Sequence, residues 1–358
     1  MGLPFFSSQA KRRDQVVAVD LGGRTTKAVH LQRRGDTFSL TSYTLQDAPI
    51  YEKAMTPELL GEHLKGVHRS LDGNRGKQIT LSIGVSDSVF RQVELPLMPA
   101  ADVRQMLKFN SKNYLQQDLP DHVFDCYFIA SNAPIKPEEA GRTNAGAPKQ
   151  KAIVGGAKRQ MIDDLQTASR FAGLTASEVV PGLTGPVNAF EMAEPEIFAK
   201  EVVALVDIGF KSSTITILNC GEMMLNRVVG IGGDRLTSGL SEAMGISYLE
   251  AENIKVGMPS EVQSNLEPLI NPLGRELRAS IDFFEHQHDQ SASQVFISGG
   301  SARSEIIIQA LQTELMVPCK SWNPARFLQL ALPPDKMGQI EQVAPQLAVA
   351  IGAAMSAF

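Results

Sequence analysis

The sequence predicts an α/β protein with a duplicated fold, two lobes around a cleft, and a smaller α+β subdomain inserted in the first lobe. Three observations carry this expectation. The stretch "VVAVDLGGRTTKAVHL" from Val16 is repeated in outline as "VVALVDIGFKSSTITIL" from Val202. Each copy runs an apolar strand into Asp-(Leu/Ile)-Gly, turns through small or polar residues and returns along a second strand. The block between them, about 79–180, reads strand, helix, strand, strand, helix, strand, the order of a small α+β module. At 358 residues the chain has room for more than one domain.

Taken in order, 16–21 and 27–31 read as paired strands and 38–44 as a third strand of the same meander. Pro57 after Thr56 opens a helix at about 56–71. "QITLSIGVSDSVFRQVELP" gives two strands around Ser86-Asp87, and Val103, Met106, Leu107 and Leu115 recur at helical spacing in "AADVRQMLKFNSKNYL". "HVFDCYFIAS" and "KAIVGGAKR" are strands. The Pro-, Gly- and Ala-rich stretch between them, about 133–150, reads as a long mobile hairpin loop. "QMIDDLQTASRFAGL" is a helix closed by Gly173. The second meander takes 202–207, 213–218 and 222–229, followed by helices at 234–244, 247–256 and 272–288. "QVFISGG" is a strand, "SEIIIQALQTEL" a helix, and 345–356 a helix of small residues suited to close packing. The expected division is a flexible tail at 1–15, a first subdomain at 16–78, the inserted module at 79–180, a second lobe at 181–343, and a C-terminal helix at 344–358 returning to the first lobe.

The net charge of −5 supplies no basic face, so nucleic acid is not an expected partner. Lys11-Arg12-Arg13 and Arg33-Arg34 read as solvated surface. Cys126, Cys220 and Cys319 form no C-x-x-C, and with no signal-peptide pattern they point to a reducing cytoplasmic compartment. His286 and His288 lie two apart on a helix and face different directions, so they read as exposed and unliganded. No stretch approaches the ~20 apolar residues needed to span a bilayer. Phe6 stands where a myristoylation pattern requires Ser or Thr.

A buried strand normally avoids a carboxylate, because desolvating it is costly. Here two strands end in one each, Asp20 and Asp207. A shared cation relieves both, and Mg²⁺, which takes few protein carboxylates and keeps several waters, suits them. The following turns offer backbone N–H groups and small side chains to an anion: Gly22, Gly23, Thr25 and Lys27 in the first, Gly209, Ser212 and Ser213 in the second. A single Asp-x-Gly is most simply a hairpin turn. Two copies heading two halves predict loops that face each other and clasp one polyphosphate. Gly232 and Gly233 precede a helix that Asp234 is placed to cap, and helix N-termini favour anions. Glu252 and Lys255 share a helical face, suited to ribose hydroxyls and adenine or ribose oxygens, or alternatively to a surface ion pair. Gly299, Gly300 and Ser301 close a strand with a bare backbone on which a flat base can lie.

In their order, "DLGGRTTK", "VVPGLTGPVNAFEM", "DIGFKSST", "FISGGSARSE" and "PQLAVAIGAAM" resemble the two phosphate loops, adenosine loop and two connecting helices of the actin-like (ribonuclease H-like) ATPase superfamily. "RVVGIGGDRLTSGLSEAMGISYLEAENIK" and "VFRQVELPLMPAADVRQMLKFNSKNYL" are similar to the PilM family of type IV pilus assembly proteins. The resemblance covers nearly the whole chain. It implies ATP and Mg²⁺ as ligands and a scaffold at the inner face of the cytoplasmic membrane. The implied partner is the short cytoplasmic N-terminal tail of a PilN-like inner-membrane protein, lying between the first subdomain and the inserted module. Self-association is left open. Two departures stand out. Gly23-Arg24 replaces the usual pair of serines, which adds a phosphate contact or crowds the site. Pro181-Gly182 stands where an acid is usual, which favours binding over turnover and at most a weak ATPase. An FtsA-like filament-forming membrane tether and a metabolic kinase of the same superfamily are the competing readings. The first needs a C-terminal amphipathic helix with a basic face, the second a general-base Asp in the cleft.

Overall fold

Each repeated stretch folds as the first two strands of an antiparallel meander. In the first, β1 (Gln15–Leu21), β2 (Thr25–Arg34) and β3 (Thr37–Asp47) pair in order, with Asp20 directly opposite Lys27. The computed structural model describes residues 13–49, 56–72, 76–129 and 149–358. The 133–150 loop lies outside these residues except for its last two, and so does the expected tail as far as residue 12. At Arg13 the chain is already tied down, and the surface reading of that residue is corrected: its guanidinium lies 2.9 Å from the Glu178 carboxylate.

Helix α1 (Pro57–Ser70) starts where Thr56 caps it by accepting from the Leu59 N–H. It covers one face of the first sheet through Leu64 and Val67. Strand β4 (Gln78–Ile83) then pairs parallel with β1 and begins a detour. β5 (Ser88–Pro96), α2 (Ala100–Leu115), β6 (His122–Phe128) and β7 (Lys149–Lys158) form a separate three-stranded sheet, ordered β5-β7-β6, with one helix. Its core is closed by Val103, Leu107 and Leu115 of α2 against Phe124 and Val154. After it, α3 (Arg159–Phe171) packs beside α1, and β8 (Thr175–Pro181) pairs parallel with β4. The separate sheet is therefore narrower than the expected 79–180 block. β4, α3 and β8 follow the module's rhythm along the chain but bury their apolar faces in the first lobe.

Two short helices, α4 (Thr184–Ala193) and α5 (Pro195–Lys200), lead to the second meander of β9 (Val202–Ile208), β10 (Ser213–Asn219) and β11 (Glu222–Val229). Next come α6 (Gly233–Met244), α7 (Tyr248–Gly257) and α8 (Gln263–His288). Helix α8 runs through Pro268 and Pro272, whereas the sequence places its start at Pro272. Leu266, Ile270 and Leu273, all fully buried, hold the extra turns against the second-lobe core. β12 (Gln294–Gly299) pairs parallel with β9, α9 (Glu305–Leu315) covers it, and β13 (Cys319–Ser321) completes a five-stranded sheet ordered β11-β10-β9-β12-β13. β14 (Gln329–Leu330) crosses back to the edge of the first sheet, giving the order β14-β3-β2-β1-β4-β8. The two meanders are thus equivalent, each with a parallel strand beside its first member.

The C-terminal segment runs from Ala344 through one tight turn into the helix Ala348–Ser356. Its small residues let it cross α4 backbone to backbone: a Cβ on Gly352 would collide with the Gly185 carbonyl oxygen, and one on Gly185 would sit 2.6 Å from Val349 Cα. Ala348, Ala350, Ile351, Ala353 and Ala354 are buried in the same core as Val187 and Phe190 of α4. Every residue of this helix is buried or half-buried. Among the described residues, no helix is long and apolar enough to cross a membrane.

Candidate functional site between the lobes

The two meanders end at a common cavity of about 700 Å³. Asp20, Gly22, Gly23, Thr25 and Lys27 line it from the first lobe, and Asp207, Gly209 and Ser212 from the second. Gly233, Glu252, Lys255, Gly299, Gly300 and Ser301 complete the far wall. Two of the residues expected there stand outside the lining. Ser213 is fully buried and donates from Oγ to the Ile231 carbonyl at 2.6 Å, so its hydroxyl fixes β10 to the chain before α6. Gly232 backs onto the second loop, where a Cβ would lie 2.7 Å from the Gly209 carbonyl.

The carboxylate on β1 is met by a lysine from this chain. Lys27 Nζ lies 3.0 Å from Asp20 Oδ2. Burial by itself would lower the Lys27 ammonium's pKa, but the charge and hydrogen bond of Asp20, with the charge of Asp207 added, leave it raised. Asp207 is different. Ser298 donates to its Oδ1 at 2.9 Å, yet burial prevails and holds its carboxyl above the ordinary range. The cation that the sequence calls for at both strand ends is thus supplied at Asp20 by Lys27, while Asp207 keeps an unmet demand for positive charge. Among the described residues, no three His, Cys, Asp or Glu side chains gather as a metal cage. Two carboxylates at one cavity fit an ion that takes most of its ligands from water and phosphate.

On the second-lobe wall, Glu252 and Lys255 are an internal pair rather than a surface one. Lys255 is 8% exposed, its Nζ is 2.7 Å from Glu252 Oε2, and Thr237 donates to that same oxygen at 2.5 Å. Burial would raise the Glu252 carboxyl; the bonds from Lys255 and Thr237 outweigh it and leave the pKa lowered, so an ionised acceptor faces the cavity. The start of α6 is not the anion site its glycines suggest. Its first two N–H groups, on Gly233 and Asp234, donate to the Gly209 and Phe210 carbonyls at 2.9 Å each. Asp234 does not cap the helix; it accepts from the Tyr248 hydroxyl at 2.8 Å. Gly299 has φ +91°, and a side chain there would strike the Ile208 carbonyl, so bare backbone at the end of β12 is a requirement of close strand packing.

Further charged residues that the sequence reading does not single out line the cavity: Asp87 on the loop after β4, Lys211 in the second loop, and Arg303 and Glu305 after β12. Asp87 carried a signal, as a polar residue at a strand-strand turn. A second cavity, of about 530 Å³, lies where the inserted module meets the first lobe. Arg104, Lys108 and Phe124 line it from the module, Ile162 and Glu178 from α3 and β8.

Two lobes built on equivalent meanders, facing one cavity with a carboxylate from each, define the actin-like fold. Solved structures agree. MreB 5 of Spiroplasma citri bound to AMPPNP is similar at TM-score 0.50 and 9% identity, over 96% of this chain and 95% of that one. The ethanolamine utilization protein EutJ from Carboxydothermus hydrogenoformans is similar at TM-score 0.55 and 15% identity, over 96% and 90%. A PilM-PilN type IV pilus biogenesis complex is similar at TM-score 0.78 and 20% identity, over 96% and 98%. The sequence matches the family described as type IV pilus assembly protein PilM over residues 18–358, and the chain belongs to that family.

Proposed function

We propose that this protein is an ATP-binding scaffold of a type IV pilus or related secretion machine, at the inner face of the cytoplasmic membrane. The observation that carries the reading is the convergence of Asp20 and Asp207, from the two copies of one motif, on a single cavity. Asp20 and Asp207 would hold a hydrated Mg²⁺, with Asp207 gaining most from it because its charge is the less compensated. Gly22, Gly23, Thr25, Lys27, Gly209 and Ser212 would take the phosphates, Glu252 and Lys255 the ribose and base oxygens, and Gly299, Gly300 and Ser301 the adenosine face. The bound nucleotide supplies interaction energy that both lobes share. Such energy shifts the protein toward a closed arrangement only by the difference in affinity between open and closed states. At most weak turnover accompanies that binding: Gly182 and Leu183 line the wall where the first connecting segment would place an acid.

The second cavity supports a peptide partner, the short N-terminal tail of a PilN-like inner-membrane protein. It combines apolar lining from Val123, Phe124 and Ile162 with charged groups from Arg104, Lys108 and Asp125, the mixture that peptide grooves use for affinity and register. Membrane association would then come through that partner. The test is fluorescence anisotropy of a labelled PilN-like tail peptide titrated with the full chain, with and without Mg²⁺-ATP. The reading predicts saturable binding that Ile162→Glu abolishes and that nucleotide alters. Peptide binding unaffected by Ile162→Glu in a folded variant would move the partner elsewhere.

A further inference from the structure

Arg24, part of one of the two departures from the family resemblance, reaches across the cleft. Arg24 sits in the first loop, and its carbonyl accepts from the Ala48 N–H at 2.7 Å, so its backbone is anchored. Its side chain leaves the first lobe. One guanidinium nitrogen lies 3.4 Å from the Tyr248 hydroxyl and 3.9 Å from Glu252 Oε2, both on α7 of the second lobe. The guanidinium carbon stands 5.7 Å from the Phe210 ring centre, in the second loop, and 6.0 Å from that of Tyr248. Arg24 thus touches the second phosphate-type loop and the Glu252 helix at once, and it lines the cavity beside Gly23 and Thr25.

These contacts are numerous but individually long. The hydrogen bond and the ion pair are at the outer edge of useful distance, the rings are near the limit of a cation–π contact, and the side chain remains 39% exposed. A phosphate offers the same guanidinium a short, bidentate, charge-assisted contact, which is roughly twice as strong as a neutral hydrogen bond. Leaving costs the second lobe little. Glu252 keeps Lys255 at 2.7 Å and Thr237 at 2.5 Å, and Tyr248 keeps Asp234 at 2.8 Å, so no buried charge or hydroxyl is stranded.

We propose that Arg24 is a terminal-phosphate sensor with two sets of partners, Tyr248 and Glu252 of α7 or the last phosphate of a bound nucleoside triphosphate, so that triphosphate releases α7 from the first loop. The inference rests on the nucleotide-cleft reading and adds to it a specificity-determining residue. Lys27 and Lys255 each already hold a carboxylate, at 3.0 and 2.7 Å, whereas the polar contacts of the Arg24 guanidinium to described residues are 3.4 Å or longer. A diphosphate, lacking the last group, leaves Arg24 on α7.

The experiment is calorimetry of Mg²⁺ with a non-hydrolysable ATP analogue, and separately with ADP, on the full chain as wild type, Arg24→Ala, Arg24→Lys and Tyr248→Phe. Wild type is expected to prefer the triphosphate. Arg24→Ala should reduce that preference about tenfold while leaving ADP affinity within about twofold, and Arg24→Lys, a point charge without the fork, should restore part of it. Tyr248→Phe, which removes the hydroxyl that Arg24 reaches along with its bond to Asp234, should raise triphosphate affinity about twofold. Amide exchange over 248–257 without nucleotide should be faster in Arg24→Ala than in wild type. An unchanged triphosphate-to-diphosphate ratio in Arg24→Ala, or equal loss of both ligands, would overturn the sensor while leaving the nucleotide cleft intact. Failure of folded wild type to bind either nucleotide would overturn both.

Discussion

Lys27 Nζ stands 3.0 Å from Asp20 Oδ2, and the two residues are direct cross-strand partners on β2 and β1. Both side chains are mostly buried, so the pair replaces water for each charge at the cleft floor. Lys27→Met removes one partner and strands a carboxylate. We expect it to lower the unfolding free energy by about 3 kcal/mol, read from urea denaturation. The double change Lys27→Met with Asp20→Leu should recover much of that loss. Because the folded lysine's pKa is raised, its contribution is complete below the unfolded lysine's titration. It is lost as pH rises through the folded value, so wild type and Lys27→Met should converge only in the alkaline range.

Asp207 shifts in the same direction, but for a carboxyl the neutral-pH consequence is unfavourable rather than favourable. Burial disfavours its charged form, and a carboxyl whose pKa is raised by folding stabilises most when protonated and less as pH rises through the folded value. Asp207→Asn should therefore stabilise the nucleotide-free protein at neutral pH by about 1 kcal/mol and flatten that part of its pH dependence. The same substitution should weaken Mg²⁺-ATP binding. Thermal melting with and without ligand separates the two effects.

The crossing of α4 with the C-terminal helix sets a steric prediction. Gly352→Ala directs a methyl group at the Gly185 carbonyl, and neither helix can yield without opening a core that holds Phe190 and Ile351. A loss of about 3 kcal/mol is expected by denaturant titration. Gly338→Ala, where a Cβ meets nothing within 4 Å, should change stability by less than about 0.5 kcal/mol.

Thiol labelling checks the core assignment. Burial pushes the Cys126 thiol up to about 11, helped by the charge of Asp125, and the Cys319 thiol up to about 12. Cys220 is exposed in a turn. Iodoacetamide at neutral pH should add one group to the native protein, at Cys220, and three after denaturation, as read by mass spectrometry.

Much of this architecture was legible because it is written in local patterns. Continuous apolar strands ending in Asp-x-Gly mark both meanders, and small residues in the last helix announce a close neighbour, which proves to be Gly185. What the sequence concealed is non-local. β4 and β8 look like parts of the inserted module along the chain, but their parallel pairing with the first sheet is decided by partners far away in sequence. The glycines before α6 look like an anion site; the Gly209 and Phe210 carbonyls claim its leading N–H groups. Ser213 fits a phosphate turn by composition, but strand alternation turns its hydroxyl inward. Arg24 was visible only as an exception, since a single sequence cannot tell whether a long side chain turns into a cleft or spans it.

The central claim is that two copies of one motif clasp a single Mg²⁺-ATP. Calorimetry on wild type and on Asp20→Asn combined with Asp207→Asn tests it most directly, because both substitutions keep shape and remove only charge. The account predicts one saturable site in wild type and at least a hundredfold weaker binding in the double variant, whose thermal unfolding stays cooperative. Undiminished binding by the double variant, or none by folded wild type, would contradict it.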